Sequence, residues 1–314
     1  MSAIATEPQL NHLSNPIKRY FLATRPAFLT ATLAACLLGF ASAHFSGVYL
    51  QWSLLLVTLL LATILHASVN VLNDYFDALN GTDEINVGRV YPFTGGSRFI
   101  QNKILSPRQT VNFGYILLTI AIIGGVCLIA SVGAGLLMIG AAGVFLGWAY
   151  SASPLRLNSR GLGELAVMLG FLGVVMGADF VQRSTFSLVP ILVGLPYALL
   201  VTNLLFINQF PDVKADATVG KRHLVVILQP DFAVYLYLFL VIVSVLWVLG
   251  LVLTSQLPAL STLSTLPMLL SFRAARLLYR FAKQPMQLRS AIQLTIVAML
   301  SHALILSTVL FFGK

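Results

Sequence analysis

Residues 66–103 read HASVNVLNDYFDALNGTDEINVGRVYPFTGGSRFIQNK, and the fold turns on how they change character along their length. The stretch begins inside an uncharged run, Ser46 to Asn73, long enough to cross a bilayer as a helix. It ends in a segment crowded with acidic, glycine and basic residues. On a helix His66, Asn70, Asn73 and Asp77 fall at i, i+4, i+7 and i+11, which places all four on one stripe. Polar and ionisable groups at membrane depth face a cavity, a partner or an ion rather than lipid. Asn-Asp-x-x-Asp followed by Asp83 and Glu84 therefore reads as a cation site built from oxygen ligands.

The rest of the chain suits a membrane setting. With 58% hydrophobic and 9% charged residues, 314 residues supply too little polar surface for a soluble protein of this size. The expected class is an all-α polytopic membrane protein. Apolar runs of about 20 residues, the length that spans hydrocarbon, occur at 26–45, 48–73, 111–130, 133–152, 162–181, 186–208, 232–254, 258–280 and 290–312. They predict nine transmembrane helices around a central cavity, in one domain over 26–314. The eighth run is the weakest, because Pro258, Pro267, Arg273, Arg276 and Arg280 lie in it. Residues 1–25 form a cytoplasmic N-terminal segment without the order of a signal peptide, and 14–25 suit a surface helix. Cys36 and Cys127 lack metal or redox spacing and read as buried small hydrophobes.

Loop charge fixes an orientation. With the N-terminus inside, the cytoplasmic segments hold seventeen of the 19 Lys and Arg residues and the outside holds Arg183 and Lys314. The formal charge of +9 is thus mainly a topology signal, and with no basic helix apart from the spans, nucleic-acid binding is excluded. The chain is expected in the cell (inner) membrane with its active site on the cytoplasmic side.

A second acidic cluster follows the sixth run: Asn208, Asp212 and Asp216, then Gly220, Lys221 and Arg222. Its Asn-x-x-x-Asp spacing repeats that of Asn73 and Asp77, although Pro211 should kink or restart the helix. Runs two and six are both even-numbered, so both clusters emerge on one side. Five of the ten acidic residues lie in them: Asp74, Asp77, Asp83, Asp212 and Asp216. Between them, after the fourth run, comes YSASPLRLNSRGLGE, residues 150–164, which adds Tyr150, Arg156 and Arg160 to the same side. Carboxylates that hold Mg²⁺, and Arg and Lys that neutralise the remaining charge, match the needs of a diphosphate.

These features together resemble the UbiA superfamily of intramembrane prenyltransferases over nearly the whole chain. NDYFDALNGTD with the TGGSRFIQ continuation is most similar to the 1,4-dihydroxy-2-naphthoate, or menaquinone-pathway, branch. The resemblance implies transfer of a polyprenyl group from its diphosphate to an aromatic quinone precursor at the membrane lipid boundary. It implies Mg²⁺ held by Asn73, Asp77, Asp83, Asn208, Asp212 and Asp216, with Asp77, Asp212, Tyr150 and Arg156 serving catalysis. Arg25, Asn73, Arg89, Arg98, Lys103, Arg156, Arg160, Asn208 and Lys221 are the expected substrate contacts. One departure stands out. Where that branch has Asn-Asn-x-Arg-Asp, this chain has Asn208-Gln209-Phe210-Pro211-Asp212, and Lys214, Lys221 or Arg222 is left to replace the arginine.

Each choice has a plainer rival. Helix-end solvation competes for the aspartates, surface anchoring for Arg156 and Arg160, and topology charge for Arg25, Arg89, Arg98 and Lys103. Tyr150 either steadies an allylic cation or belts the interface. His66 reads as a cavity-lining hydrogen-bonder rather than a catalyst, and His302 as structural. Gly124, Gly125, Gly140 and Gly143 read as close-packing positions, and Asp179 with Arg183 as a pair at the outer surface. Rival functions are the same chemistry on 4-hydroxybenzoate, haem or a glycerol phosphate, a membrane terpene cyclase, or a cation-coupled transporter, whose carboxylates would favour the midplane and broken helices.

Overall fold

The computed structural model describes residues 7–313, so residues 1–6 of the N-terminal segment and Lys314, counted above on the outer side, lie outside it. Twelve helices follow in order: α1 Pro16–Ala23, α2 Pro26–Phe45, α3 Trp52–Leu79, α4 Thr82–Ile85, α5 Pro107–Val132, α6 Gly135–Ser151, α7 Gly163–Arg183, α8 Val189–Thr218, α9 Leu224–Leu228, α10 Pro230–Leu253, α11 Met268–Phe281 and α12 Arg289–Phe312. No strand occurs among the described residues.

The helix starts are written in the sequence. Pro occupies the first turn of α1, α2, α5, α8 and α10, where its missing N–H costs nothing. Ser106 and Gln109 close a reciprocal capping box on α5. Among the described residues seven helices are long and apolar enough to cross a membrane: α2, α3, α5, α7, α8, α10 and α12. The other two expected spans are shorter. The fourth, α6, has 17 residues. The eighth breaks at its prolines into 3₁₀ turns, Ala259–Thr265, followed by the 14-residue α11.

Two halves pack differently. The largest core joins α2, α7, α8, α10, α11 and α12, with Tyr197, Phe206, Tyr237, Leu278 and Ile292 fully buried. α8 is the most enclosed of the long helices and continues through Pro196 and Pro211 without the expected restart. On the other side α3 lies along α5, α6 leans on α7, and a cavity opens between these helices and α8. α1 is the expected surface helix: Asn15 Oδ1 accepts from Ile17 N at 2.8 Å, Ala23 is buried, and Ile17 and Phe21 face outward.

Three side-chain expectations change. Asp179 does pair with Arg183, at 2.8 Å, but it is buried and also accepts from Ser42 Oγ at 2.6 Å. The pair therefore ties α2 to α7 instead of lying on the outer surface. Cys36 is buried, whereas Cys127 is exposed on the outward face of α5. Gly124 does pack closely, against Leu61, but Gly125 and Gly140 have nothing within 4 Å of an added Cβ, and Gly143 has only Leu65 at 3.9 Å. All three border the cavity, so their missing side chains widen it rather than draw helices together.

Candidate active site

The cavity measures about 610 Å³ and is polar at one end and apolar along the rest. Its α3 wall runs from Thr58 to Asp77, which at 1.5 Å per residue is roughly 28 Å, close to the hydrocarbon thickness of a bilayer. The stripe expected from spacing is the stripe observed: His66, Asn70, Asn73 and Asp77 all border it. Asp83, Asn208, Asp212, Asp216 and Lys221 join them at the polar end, with Arg25 and Tyr150 at its margin. Leucines, valines and glycines of α5, α6 and α7 make the remaining wall.

At the first cluster Asp77 collects donors from three places. Asn73 Nδ2 donates to Asp77 Oδ2 at 3.2 Å and to Ser151 Oγ at 2.9 Å. Asn80 Nδ2 donates to Asp77 Oδ1 at 3.2 Å, and Lys221 Nζ lies 2.9 Å from the same oxygen. Asp74, one residue off the stripe, turns away from this end. It accepts from Ser97 N at 3.2 Å and holds Arg25 at 3.9 Å, so it anchors the loop after α4 to the tip of α3. The guanidinium of Arg25 also lies over the ring of Phe28, 4.4 Å from its centroid.

At the second cluster Asp212 Oδ1 accepts from Asn86 Nδ2 at 2.6 Å. Asp216 meets Lys221 Nζ at 3.3 Å and His223 Nε2 at 3.1 Å. His223 Nδ1 accepts from Val226 N at 3.4 Å, which leaves Nε2 to carry the proton and donate to Asp216. Lys221 thus joins the two clusters through one buried ammonium.

The electrostatics follow from crowding. Burial, then the like charges of Asp77 and Asp74, push the Asp83 carboxyl well above the usual carboxylate range, against the pull of Lys221 and Arg98. Burial alone would lower Lys221, but Asp77 and Asp216 outweigh it and hold the ammonium charged beyond its ordinary range. Among the described residues no three His, Cys, Asp or Glu side chains converge into a ready-made metal cage. The donor set does fit magnesium carried by a diphosphate, which takes one or two carboxylates and fills its other positions with phosphate oxygens and water. All of the candidate donors are hard oxygens, and Asn208 Oδ1 is buried without a partner among the described residues.

Several expected contacts do not border the cavity. Arg89 turns outward to Glu7, with Nε donating at 2.6 Å, and Arg98 donates to the Asp83 backbone carbonyl and pairs with Glu7 at 3.7 Å. Both arginines brace the loop over the site instead of entering it. Lys103 is exposed. Arg160 donates to the Pro154 carbonyl at 2.7 Å, and Arg156 sits with positive φ at the start of a 3₁₀ turn outside the lining. The end of α6 contributes Tyr150 and Ser151, and the segment after it folds back on itself and contributes Asn158 rather than its arginines.

Four further residues support the site and carry no spacing signal that singles them out: Asn86, His223, Glu164 and Glu7. Glu164 Oε1 accepts from Leu224 N at 3.0 Å and so fixes the turn that holds Lys221 and His223. His66 keeps its expected part, with Nδ1 2.7 Å from Thr32 Oγ1.

Residues 28–297 match the model of the UbiA prenyltransferase family. The chain is 32% identical over 240 residues to a Bacillus subtilis protein named 1,4-dihydroxy-2-naphthoate octaprenyltransferase, covering 74% of this chain and 72% of that one. It is 28% identical over 233 residues to a Mycobacterium leprae protein of the same name, covering 74% and 76%. The fold is similar to that of a UbiA homologue from Archaeoglobus fulgidus solved with GPP and Mg²⁺, with a TM-score of 0.60 at 12% identity over 92% of this chain and 99% of that one.

Proposed function

The chain belongs to the UbiA prenyltransferase family, and we propose that it joins a polyprenyl group from its diphosphate to 1,4-dihydroxy-2-naphthoate, a step of menaquinone biosynthesis. One observation carries the proposal: Lys221 links Asp77 of the first cluster to Asp216 of the second at the polar end of a cavity whose other end is apolar. That division suits a substrate with a charged head and an isoprenoid tail.

Asn73, Asp77, Asp83, Asn208, Asp212 and Asp216 would hold magnesium. Magnesium bound there supplies positive charge to a departing diphosphate. Lys221 neutralises the same oxygens from the protein side. The allylic C–O bond would break with its electron pair on the diphosphate, and a ring carbon adjacent to a hydroxylated one and made electron-rich by it would supply the pair of the new C–C bond. The proton or carboxylate on that carbon would depart as H⁺ or CO₂, returning its bonding pair to the ring. Tyr150 presents a ring near the polar end, where a π face steadies a cation. Arg25 offers the acceptor carboxylate a bidentate partner. Arg89, Arg98, Lys103, Arg156 and Arg160 stay outside the proposed substrate set, as braces and surface charges.

The naphthoate acceptor is supported by the names of both relatives and by the NDYFDALNGTD stretch. Incubation of the purified protein with Mg²⁺, geranylgeranyl diphosphate and a panel of rings, read by mass spectrometry, tests it. Prenylated 1,4-dihydroxy-2-naphthoate is the expected product. Prenylation of 4-hydroxybenzoate alone would move the acceptor, and a cyclic hydrocarbon with no prenylated ring would replace the proposal with a cyclase. Placement in the cell membrane, with the N-terminus and the carboxylates cytoplasmic, is part of the proposal. Cysteines introduced at Gly81 and Gly220 should label from the cytoplasmic side together, and labelling from opposite sides would contradict it.

A further inference from the structure

Granting the prenyl-transfer role proposed above, we infer that Gln209 binds a hydroxyl group of the aromatic acceptor and thereby helps to select the ring. Gln209 is 8% exposed and borders the cavity. Its Oε1 is buried and has no hydrogen-bond partner among the described residues. Folded proteins pair nearly all such oxygens, because leaving one dry forfeits its hydration without replacement. The terminal torsion of an amide is soft, so a small rotation offers the oxygen or the nitrogen to the cavity, and a donor arriving there completes the pairing.

Position identifies that donor. α8 borders the cavity through Leu204, Leu205, Asn208, Gln209, Asp212 and Asp216, the spacing of one helical face. Gln209 stands between Leu205, where the wall is apolar, and Asp212, where the carboxylates begin. Asp212 lies three positions further along the helix, an axial distance of about 4.5 Å. A polyprenyl diphosphate with its phosphates at Asp212 and its tail beyond Leu205 carries its first carbon past Gln209. What must approach that carbon is the acceptor ring. A phenolic O–H is the donor such a ring carries, and the amide oxygen of Gln209, on the apolar side of Asp212, is placed to accept it. The next turn adds no charged side chain before Asp212, since position 210 is phenylalanine and position 211 is proline.

The test uses the full-length protein with Mg²⁺ and geranylgeranyl diphosphate, and compares whichever hydroxylated ring the wild type prenylates with the methyl ether of that ring. Gln209→Leu should raise KM for the ring by roughly tenfold while KM for the diphosphate stays within about twofold, and it should erase the preference for hydroxyl over methoxyl. Gln209→Asn should recover part of that preference. An unchanged diphosphate KM shows that the variants are folded. An unchanged ring KM in Gln209→Leu, or a parallel rise in both KM values, overturns the role of Gln209 alone. A wild type that prenylates no ring overturns the acceptor proposal and this role with it.

Discussion

The two aspartate clusters share a spacing in sequence but are held in opposite ways. The first, at the tip of α3, lies under a long loop that runs from Asn80 to Ser106 and is clasped from outside by Glu7 through Arg89 and Arg98. The second, at the tip of α8, is followed by a short turn fixed by Glu164. Each turn then reaches across. Asn86 from the first loop donates to Asp212 of the second cluster, and Lys221 from the second turn pairs with Asp77 of the first. Neither cluster is complete without the other, although one is covered by a strapped loop and the other by a rigid turn.

The largest effect should come from breaking the clusters themselves. Chelation of divalent ions is expected to abolish turnover, and Asp77→Asn or Asp212→Asn to lower kcat/KM by roughly 10²–10³-fold, each with little change in melting temperature. Full activity in excess EDTA would remove the metal from the account. If only one of the two substitutions matters, the clusters are not equivalent and the shared spacing misleads.

Lys221→Met should come next, lowering kcat/KM by roughly 10–100-fold, with the larger share in KM for the diphosphate. The substitution removes the ammonium that joins the clusters and leaves Asp77 and Asp216 without its charge. Kinetics matching the wild type would show that Lys221 is only a placeholder between the carboxylates.

The smallest effect is expected at the outer clasp. Burial pushes the Glu7 carboxyl up, but the hydrogen bond and charge of Arg89, with Asn102 and Arg98 behind them, outweigh it and hold the group below its ordinary 4.5. A carboxyl lowered on folding adds stability that is fully present above its unfolded value and is lost as pH falls through the folded one. Glu7→Gln should therefore cost about 1 kcal/mol or less at neutral pH, a melting-temperature loss of about 2 °C, and the difference should shrink as pH falls below the ordinary value and vanish below the lowered folded one. A drop in activity as large as that of Lys221→Met would make the strap part of the site rather than a brace on its loop.

Much of this was legible from residue order because a bilayer penalises polar groups so heavily. The stripe His66, Asn70, Asn73 and Asp77, the repeated Asn-x-x-x-Asp, and the parity of runs two and six all pointed to one cavity end, and all of these residues border it. The arginines were harder. A guanidinium at a membrane surface can turn to substrate, to solvent or to a carboxylate far along the chain, and spacing does not separate these outcomes. Arg89 and Arg98 found Glu7, 82 residues before Arg89, and left the cavity.

By itself, the sequence determined the class, most of the spans, the helix starts at proline and the two carboxylate clusters, because these depend on local periodicity and on the cost of burying charge in hydrocarbon. Only the tertiary structure decided which side chains meet. Lys221 bridging Asp77 and Asp216, Asn86 crossing to Asp212, Gln209 left without a partner and Gly140 facing open space are all pairings, or missing pairings, between distant segments. They are set by how the helices pack, and packing depends on the shapes of whole surfaces, which no short window of residues encodes.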